Sequence, residues 1–445
     1  MRLTALAGPP RARRWQVCLA AAAALAAPAA RADQWTLESS VQAGLELNDN
    51  LSLVPAPSGV TRTLSLSNGL SVARNTENAS TKLDANVSAL DQSGGGASNR
   101  IDGRLGLTHS LTLPRGSLSL GANVAQDFNS DVISADISVG RGQRRTLGLS
   151  AGGSYALSER LSVSLQGSLG RAGYGDAVTQ AVDFRNDSLS ASASYLLSEI
   201  DSVALQASRT SYRTLSGSTR SNTESLDVQY TRALSERASA SLSLGGYRED
   251  TARTFLTRVC PLPVSFCSSG LVPYQIAPVV VESPRSGVDA GASLSYRLDE
   301  ASGLSASIGR RKSSAAFNVQ FNERNSLAIN AARQVGPSGV GSEVRSQSFA
   351  IAGAFGITPT LNASVNLARS QASINDRTSA GATLTRQPVQ TSLSATLSKE
   401  FSRDASLQIG WRRTQAQGLA DGASARANSL NVALRLTWAR LDAAR

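Results

Sequence analysis

This sequence contains few residues of the kinds that build catalytic sites or disulfide-rich proteins. Its 445 residues include one histidine, three cysteines and one methionine, and aromatic residues make up only 5%. One histidine excludes most histidine-dependent mechanisms, and three cysteines exclude a disulfide scaffold. Beyond the N-terminus no apolar run approaches the roughly 20 residues of a spanning helix, which excludes a helical membrane protein. The hydrophobic fraction of 41% is slightly low for a globular protein and far too high for a disordered one.

The first 32 residues have the pattern of a cleaved secretory signal. Four arginines precede an apolar, alanine-rich core at 17–27: Arg2, Arg11, Arg13 and Arg14. The core is too short for a transmembrane anchor, and Ala30-Arg31-Ala32 fits a small-x-small cleavage site. Removing five arginines with the signal lowers the formal net charge from +11 to +6. A secreted chain is not expected to bind nucleic acid.

The rest of the chain alternates apolar and polar residues with period two. Between Leu361 and Leu367, apolar Leu, Ala, Val and Leu alternate with Asn, Ser and Asn, and 288–298 repeats the pattern. Successive strand side chains face opposite sides of a sheet, so each strand has one apolar and one polar face. No comparable 3.6-residue stripe occurs, so we expect little helix.

Internal self-similarity indicates repeated hairpins. Residues 154–165, 194–205, 230–242 and 295–304 share one pattern of strand, tight polar turn and strand. Longer segments rich in Gly, Ser, Asn and Asp separate these units, such as 93–99. Short turns at one end and longer loops at the other are typical of outer-membrane barrels, in which they are periplasmic turns and extracellular loops. A β-solenoid or secreted adhesin is the weaker alternative, because solenoid repeats are shorter.

The pattern predicts an all-β fold, a closed antiparallel transmembrane β-barrel spanning 33–445, in the outer membrane of a Gram-negative bacterium. We count about 18 strands, with a range of 16 to 20, because 315–345 accommodates either one hairpin arm or an extra pair. An even strand number places both termini in the periplasm. Closure satisfies every edge N–H and C=O group, which lipid cannot do.

Aromatic residues recur at one depth of the predicted barrel. The residues on the apolar phase near a short turn are Tyr155, Tyr195, Tyr230, Tyr296 and Phe355. Amphipathic rings at one depth form the interfacial girdle of a membrane barrel, and we predict that role for them.

Charged residues of both signs fall on the polar, inward phase. We predict that they line the lumen: Lys82, Asp84, Asp102, Arg104, Asp227, Asp289, Arg297 and Arg311. Two interpretations stay open, namely mutual pairing in a wet lumen and a lining that selects ions or sugars. The surplus of positive charge favours anionic solutes weakly.

The longest insertion, at 251–285, contains Cys260 and Cys267 and five of the 14 prolines. In an oxidising envelope we expect a disulfide that closes a small loop, which either constricts the pore or caps its mouth. No acidic or histidine cluster lies nearby, so a metal site is not expected. His109 is on the apolar phase and should face lipid, without a visible catalytic partner. We therefore expect no catalytic residues, no cofactor and no enzymatic activity.

The opening strand ends in a distinctive turn. It begins at Trp35 and ends at Asn48-Asp49-Asn50, which by itself is also compatible with an ordinary Asx turn. This strand, followed by repeated hairpins, resembles the porin-like outer-membrane β-barrels associated with exopolysaccharide and exosortase (PEP-CTERM) systems. The resemblance implies a role in envelope polysaccharide export or surface assembly.

The expected function is therefore a passive conduit linked to exopolysaccharide export or envelope assembly. The alternatives are a general diffusion porin and a structural or adhesion barrel with a closed lumen. The expected partners are outer-membrane lipids and lipopolysaccharide, the barrel assembly machinery, a polysaccharide and a periplasmic export partner.

Overall fold

The computed structural model describes residues 34–51, 53–57, 59–94, 99–128, 143–175, 182–259, 275–309, 313–338, 342–377, 383–386, 388–418 and 423–444. All regular structure in these residues is β. The first ten strands are β1 (Gln34–Asn48), β2 (Thr61–Asn75), β3 (Ala79–Gly94), β4 (Arg100–Leu113), β5 (Gly116–Phe128), β6 (Gln143–Ala156), β7 (Leu161–Tyr174), β8 (Phe184–Leu196), β9 (Asp201–Thr214) and β10 (Thr219–Ser235). The others are β11 (Ala238–Val259), β12 (Gln275–Arg297), β13 (Gly303–Gly309), β14 (Ser313–Asn322), β15 (Asn325–Ser338), β16 (Ser342–Thr358), β17 (Leu361–Arg377), β18 (Thr383–Arg386), β19 (Val389–Glu400), β20 (Ala405–Gln417) and β21 (Ala425–Ala444). No helix in these ranges is long and apolar enough to cross a bilayer.

The sheet closes on itself. Apart from β18, each strand pairs antiparallel with the strands before and after it in the chain, and β1 pairs with both β2 and β21. The short β18 pairs only with the far end of β17, and β17 pairs directly with β19, so 20 strands form the wall. The predicted closed antiparallel barrel is confirmed, and its strand number lies at the upper limit of the predicted range.

The two additional strands lie in the segment that the alternation left ambiguous. Of the two alternatives left open for 315–345, the structure has the extra pair, β14 and β15. The neighbouring β13 and β14 are only 7 and 10 residues long. Alternation continues almost unbroken through such short connections, so it does not reveal them.

The strand register sets the size of the barrel. Following the paired residues once around the wall returns to β1 about 24 residues from the starting residue. With strands about 4.8 Å apart and a rise of about 3.3 Å per residue, this shear gives a tilt of about 40° and a Cα radius of about 20 Å.

The apolar side chains face outward. Among the residues described, only eight apolar side chains are buried, and seven of them are alanines. Leucine and valine side chains on the outward phase are instead exposed, such as Leu165, Leu242 and Val288. A barrel in lipid needs no hydrophobic core, because the bilayer covers the outward face and closed ladders satisfy the backbone.

The outward apolar belt has the height of a bilayer core. On four strands the first outward charged residue lies eight residues after the tight-turn end: Arg209, Arg333, Arg369 and Arg413. At a tilt of about 40°, eight residues rise about 20 Å, close to the roughly 25 Å of an outer-membrane barrel.

The end of the barrel that holds both described termini has connections of two to five residues. In one of them the Asp299 carboxylate accepts hydrogen bonds from the backbone N–H groups of Ala301 (2.8 Å) and Ser302 (2.6 Å). The hydrogen bond from Ala301 is the largest cause that holds the pKa of Asp299 below its usual value. Connections at the opposite end range from three to fifteen residues.

The expected loop at 251–285 is mostly strand. β11 continues to Val259 and β12 begins at Gln275, and the two stay in register over this whole length. Beta-branched residues such as Thr254 and Val279–Val281 support the strands. The prolines suggested a loop, but Pro278 and Pro284 lie on β12 in the part before Gly291, where β11 is the only partner of β12 among the described residues. Proline is tolerated on a sheet edge, and it blocks pairing with another chain.

Candidate functional site

The inward face of the wall is the candidate site, and its side chains are crowded. A Cβ added to the inward Gly148 would lie 2.2 Å from Asn123 Oδ1, and one on Gly410 would lie 2.2 Å from Asn431 Oδ1. On the outward Gly167 the nearest atom would be 3.7 Å away. The concave side of a cylinder brings neighbouring side chains together, which favours small residues there.

Serine pairs form hydroxyl ladders on this face. Directly opposed inward serines are hydrogen-bonded at 2.6–2.8 Å in the pairs Ser117–Ser154, Ser164–Ser192, Ser168–Ser188, Ser208–Ser225, Ser239–Ser295, Ser241–Ser293 and Ser307–Ser314. Each hydroxyl keeps acceptor capacity after pairing. The ladders therefore give the lumen a neutral surface that can hydrogen-bond to hydroxyl groups of a solute.

One mixed-charge cluster lies near the β1–β21 seam. Lys82 Nζ is 3.0 Å from Asp84 Oδ1, which also accepts a hydrogen bond from Ser71 Oγ at 2.8 Å. On the adjoining strands, Arg435 is 3.6 Å from Glu38. These side chains and Arg104 line a cavity of about 620 Å³.

A second set of paired charges lies nearer the mouth. Arg144 donates two hydrogen bonds to Asp127, each 3.0 Å long, and Arg100 is bonded to Asp102 at 3.0 Å. These four side chains are only slightly exposed. Because each arginine contacts a carboxylate, the two pairs contribute little net electrostatic field to this part of the lumen.

Charges of opposite sign balance over the described part of the lumen face. The inward basic residues with described side chains are Lys82, Arg100, Arg104, Arg144, Arg253, Arg285, Arg297, Arg412 and Arg435. The inward acidic residues are Glu38, Glu46, Asp84, Asp102, Asp127, Asp227, Glu249, Asp289 and Glu400. The nine of each sign leave no surplus among the side chains that the structure describes, so the expected leaning towards anionic solutes lacks its basis in this part of the lumen.

Charge is also unevenly distributed around the lumen. The inward phases of β7–β9 and of β13–β16 hold no charged residue among the side chains described. Ser, Thr, Ala, Gly, Asn and Gln predominate there. A solute crossing the lumen thus meets two neutral arcs, of three and four strands, separated by the parts of the wall that carry the inward charges.

The structure places seven of the eight predicted lining residues on the inward phase. Lys82, Asp84, Asp102 and Arg104 lie together on β3 and β4. Asp227 and Asp289 lie on β10 and β12, and Arg297 ends β12. Arg311 lies outside the described residues. Whether this lining selects solutes stays a prediction.

The five residues of the predicted girdle lie on the outward phase. Tyr155, Tyr195, Tyr296 and Phe355 are exposed near tight-turn ends. Tyr230 lies further up its strand, and its hydroxyl donates a hydrogen bond to Asp201 at 2.5 Å. Their role at the membrane interface stays a prediction.

The remaining predicted positions are structural or undescribed. His109 lies on the outward phase of β4, where its Nδ1 is 2.8 Å from Thr81 Oγ1. Cys260 and Cys267 lie outside the described residues, as does the segment 1–32. Trp35 begins the outward phase of β1, and the Arg74 guanidinium carbon lies 5.5 Å from its ring centroid.

The Asn48-Asp49-Asn50 turn joins the first strand to the last. Asn48 Oδ1 accepts the N–H of Asn50 (2.9 Å), as in an Asx turn. Asn50 Nδ2 donates to the carbonyls of Val54 (2.7 Å) and Arg426 (2.8 Å). The Asp49 carboxylate accepts from the backbone N–H (2.6 Å) and Nδ2 (2.8 Å) of Asn428. We call this network the seam latch.

Sequence reasoning missed the seam latch and the serine ladders for different reasons. The Ser-x-Ser alternation was a visible signal for the ladders. No local signal indicated that Asn428, almost 400 residues away, contacts Asp49.

Comparisons with known proteins agree on the fold alone. The sequence matches no protein-family model and none of the curated proteins. Among solved structures, the open form of the ferric-catecholate import receptor Fiu from E. coli K12 has a TM-score of 0.50 at 9% identity, covering 90% of this chain and 81% of that one. The copper transporter OprC gives 0.49 at 10% identity, with 90% and 83% covered. OccK2 from Pseudomonas aeruginosa gives 0.37 at 13% identity, with 90% and 98% covered. The chain is a large β-barrel of the Gram-negative outer membrane.

Proposed function

We propose that this barrel is a passive conduit for hydroxyl-rich polysaccharide, serving export or envelope assembly without enzymatic activity. The observation that carries the proposal is the serine-lined, charge-balanced lumen face. Hydroxyl pairs exchange hydrogen bonds readily with sugar hydroxyls, and a face without net charge neither concentrates nor repels ions strongly. Movement would be by diffusion or threading.

The size of the wall is compatible with a polymer. A Cα radius of about 20 Å, reduced by short inward side chains, encloses a space about 25–30 Å across. An extended polysaccharide strand is narrower than this space.

The association with exopolysaccharide and exosortase systems belongs to this proposal. It rests on the opening strand from Trp35 to Asn50 and on the neutral lumen. We propose further that a periplasmic export partner binds the short turns and that the assembly machinery inserts the barrel. Lipopolysaccharide and other outer-membrane lipids would surround the outward belt.

The test is single-channel conductance of the folded protein in a planar bilayer. We expect open steps with little preference between K⁺ and Cl⁻, and we expect dextran to block them more strongly than dextran sulfate of the same length. A Ser164→Val/Ser192→Val variant should keep the open steps but shorten the dextran blocks. The control, Ala191→Val, changes the outward face of the same strand and should leave the blocks unchanged.

The alternatives give different results. Open steps indifferent to both polymers would reject the conduit and support a general diffusion porin. Absence of steps from protein shown to be folded would support a structural or adhesion barrel with a closed lumen. Stronger block by dextran sulfate would contradict the role assigned to the neutral face.

A further inference from the structure

Four arginines lie side by side on the outward face of four adjacent strands. Arg171 on β7 pairs with Arg185 on β8, Arg185 pairs with Arg213 on β9, and Arg213 pairs with Arg220 on β10. Directly paired residues of an antiparallel sheet have Cα atoms about 5 Å apart. We call these four residues the arginine row.

The arginine row has four positive charges and two neighbouring carboxylates, because Asp183 and Asp187 lie two residues on either side of Arg185 on the same outward face. Arg185 is bonded to Asp187 at 2.7 Å. The other three arginines form no ion pair with any side chain described here. Like charges directly opposite one another destabilise a sheet, so the arrangement calls for a bound anion.

The row begins at the outer boundary of the apolar belt and rises above it. Arg171 is ten residues beyond the start of β7, which places it about 25 Å above the tight turns at a tilt of about 40°, and Arg220, 15 residues before the end of β10, lies about 38 Å above them. Arginine facing lipid is costly at mid-depth and nearly neutral at the interface. At this level the charges that an outer leaflet presents are lipid phosphates.

Apolar grooves lie directly below the row. A cavity of about 450 Å³ on the outward face is lined by Leu149, Gly167, Leu169 and Leu189. Gly167 contributes to the hollow, because it lacks a side chain between neighbouring leucines. An adjoining cavity of about 810 Å³ extends from Leu189 towards β12, and its lining also includes Arg209, Glu224 and Arg248. Asp187 and Arg209 line the first cavity beside the leucines. Charge above and mainly apolar surface below match the two ends of a phosphorylated lipid.

The lumen side holds the row in place. Phe184 and Tyr212 directly precede Arg185 and Arg213 in the chain. Their ring centroids lie 5.4 Å apart, and Tyr212 is only 1% exposed. The connection from β9 to β10 is tight, since the N–H of Thr219 donates to Thr214 Oγ1 at 2.9 Å. A rigid backing keeps the arginines together without a ligand, which lowers the cost of binding.

We propose that the arginine row and the grooves below it form a binding site for a phosphorylated lipid of the outer leaflet, with its phosphates on the arginines and acyl chains in the grooves. The site is on the outside of the wall and is independent of what passes through the lumen. No local sequence motif indicates this site, because the four arginines come from four separate strands.

Native mass spectrometry of the folded barrel in detergent tests the site with three probes: bis-phosphorylated lipid A, monophosphorylated lipid A and lipid A without phosphate. We expect one tightly retained bis-phosphorylated lipid, weaker binding of the monophosphorylated form and loss of the phosphate-free form. Arg171→Gln/Arg213→Gln/Arg220→Gln should weaken binding about tenfold or more, because charge-assisted hydrogen bonds are lost.

The matched control is Arg62→Gln/Arg345→Gln/Arg413→Gln, which removes the same charge from outward positions on β2, β16 and β20 that are not neighbours. Binding by this control should stay within about twofold of the unaltered protein. Equal weakening of both variants would show general surface electrostatics and overturn the proposal. Equal retention of all three lipids by the unaltered protein would overturn it too, whether or not any variant folds.

Discussion

Replacement of Asn50 by alanine should loosen the seam where the barrel closes. The Asn50 side chain is 4% exposed, donates to the carbonyls of Val54 and Arg426 and accepts from the N–H of Val54. Truncation removes three partly buried hydrogen bonds, and each contributes about 0.5–1.5 kcal/mol net. We expect a net loss of about 2–4 kcal/mol in the free energy of unfolding.

The measurement is reversible urea unfolding of the folded barrel in lipid vesicles, followed by the fluorescence of its tryptophans. Asn362→Ala is the control, because Asn362 is an exposed asparagine in the wall. We expect a lower midpoint for Asn50→Ala with an unchanged slope, and a control within about 0.5 kcal/mol of the unaltered protein.

Equal midpoints for Asn50→Ala and Asn362→Ala would refute the seam latch as a stabilising network. A changed slope would also count against the reasoning, because it would indicate an altered denatured or native state rather than a lost set of contacts.

Two further substitutions test other features of the wall. Gly94→Ala should destabilise the barrel more than Gly59→Ala, as measured by the same unfolding assay. Both glycines have positive φ (100° and 112°), but only at Gly94 would the new Cβ contact a backbone atom, because it would lie 2.3 Å from the carbonyl oxygen of Val60. A smaller loss at Gly94 would contradict the assigned geometry. Pro278→Val/Pro284→Val should increase aggregation during refolding, measured by light scattering, because both prolines lie on the one-sided part of β12; unchanged scattering would argue against an edge-protecting role.

Local alternation was sufficient for the fold class. Period-two patterning around Leu361–Leu367 and the repeated tight turns predicted the closed antiparallel barrel. The pattern left one hairpin arm and an extra pair of strands open at 315–345, and it missed the strands within 251–285, where prolines suggested a loop. Both cases concern which strands become neighbours, which local pattern does not encode.

The features of the candidate site also fall into those that the sequence determined and those that it did not. The sequence by itself determined which side chains point inward, because strand geometry alternates faces regardless of what surrounds it. Only the tertiary structure decided that inward charges balance, that Asp49 meets Asn428, and that four arginines align on the outside. These depend on register and closure, which arise from the sum of many cross-strand contacts and connection lengths around 20 strands. No single segment carries that sum, so residues far apart in the chain become partners only once the cylinder is closed.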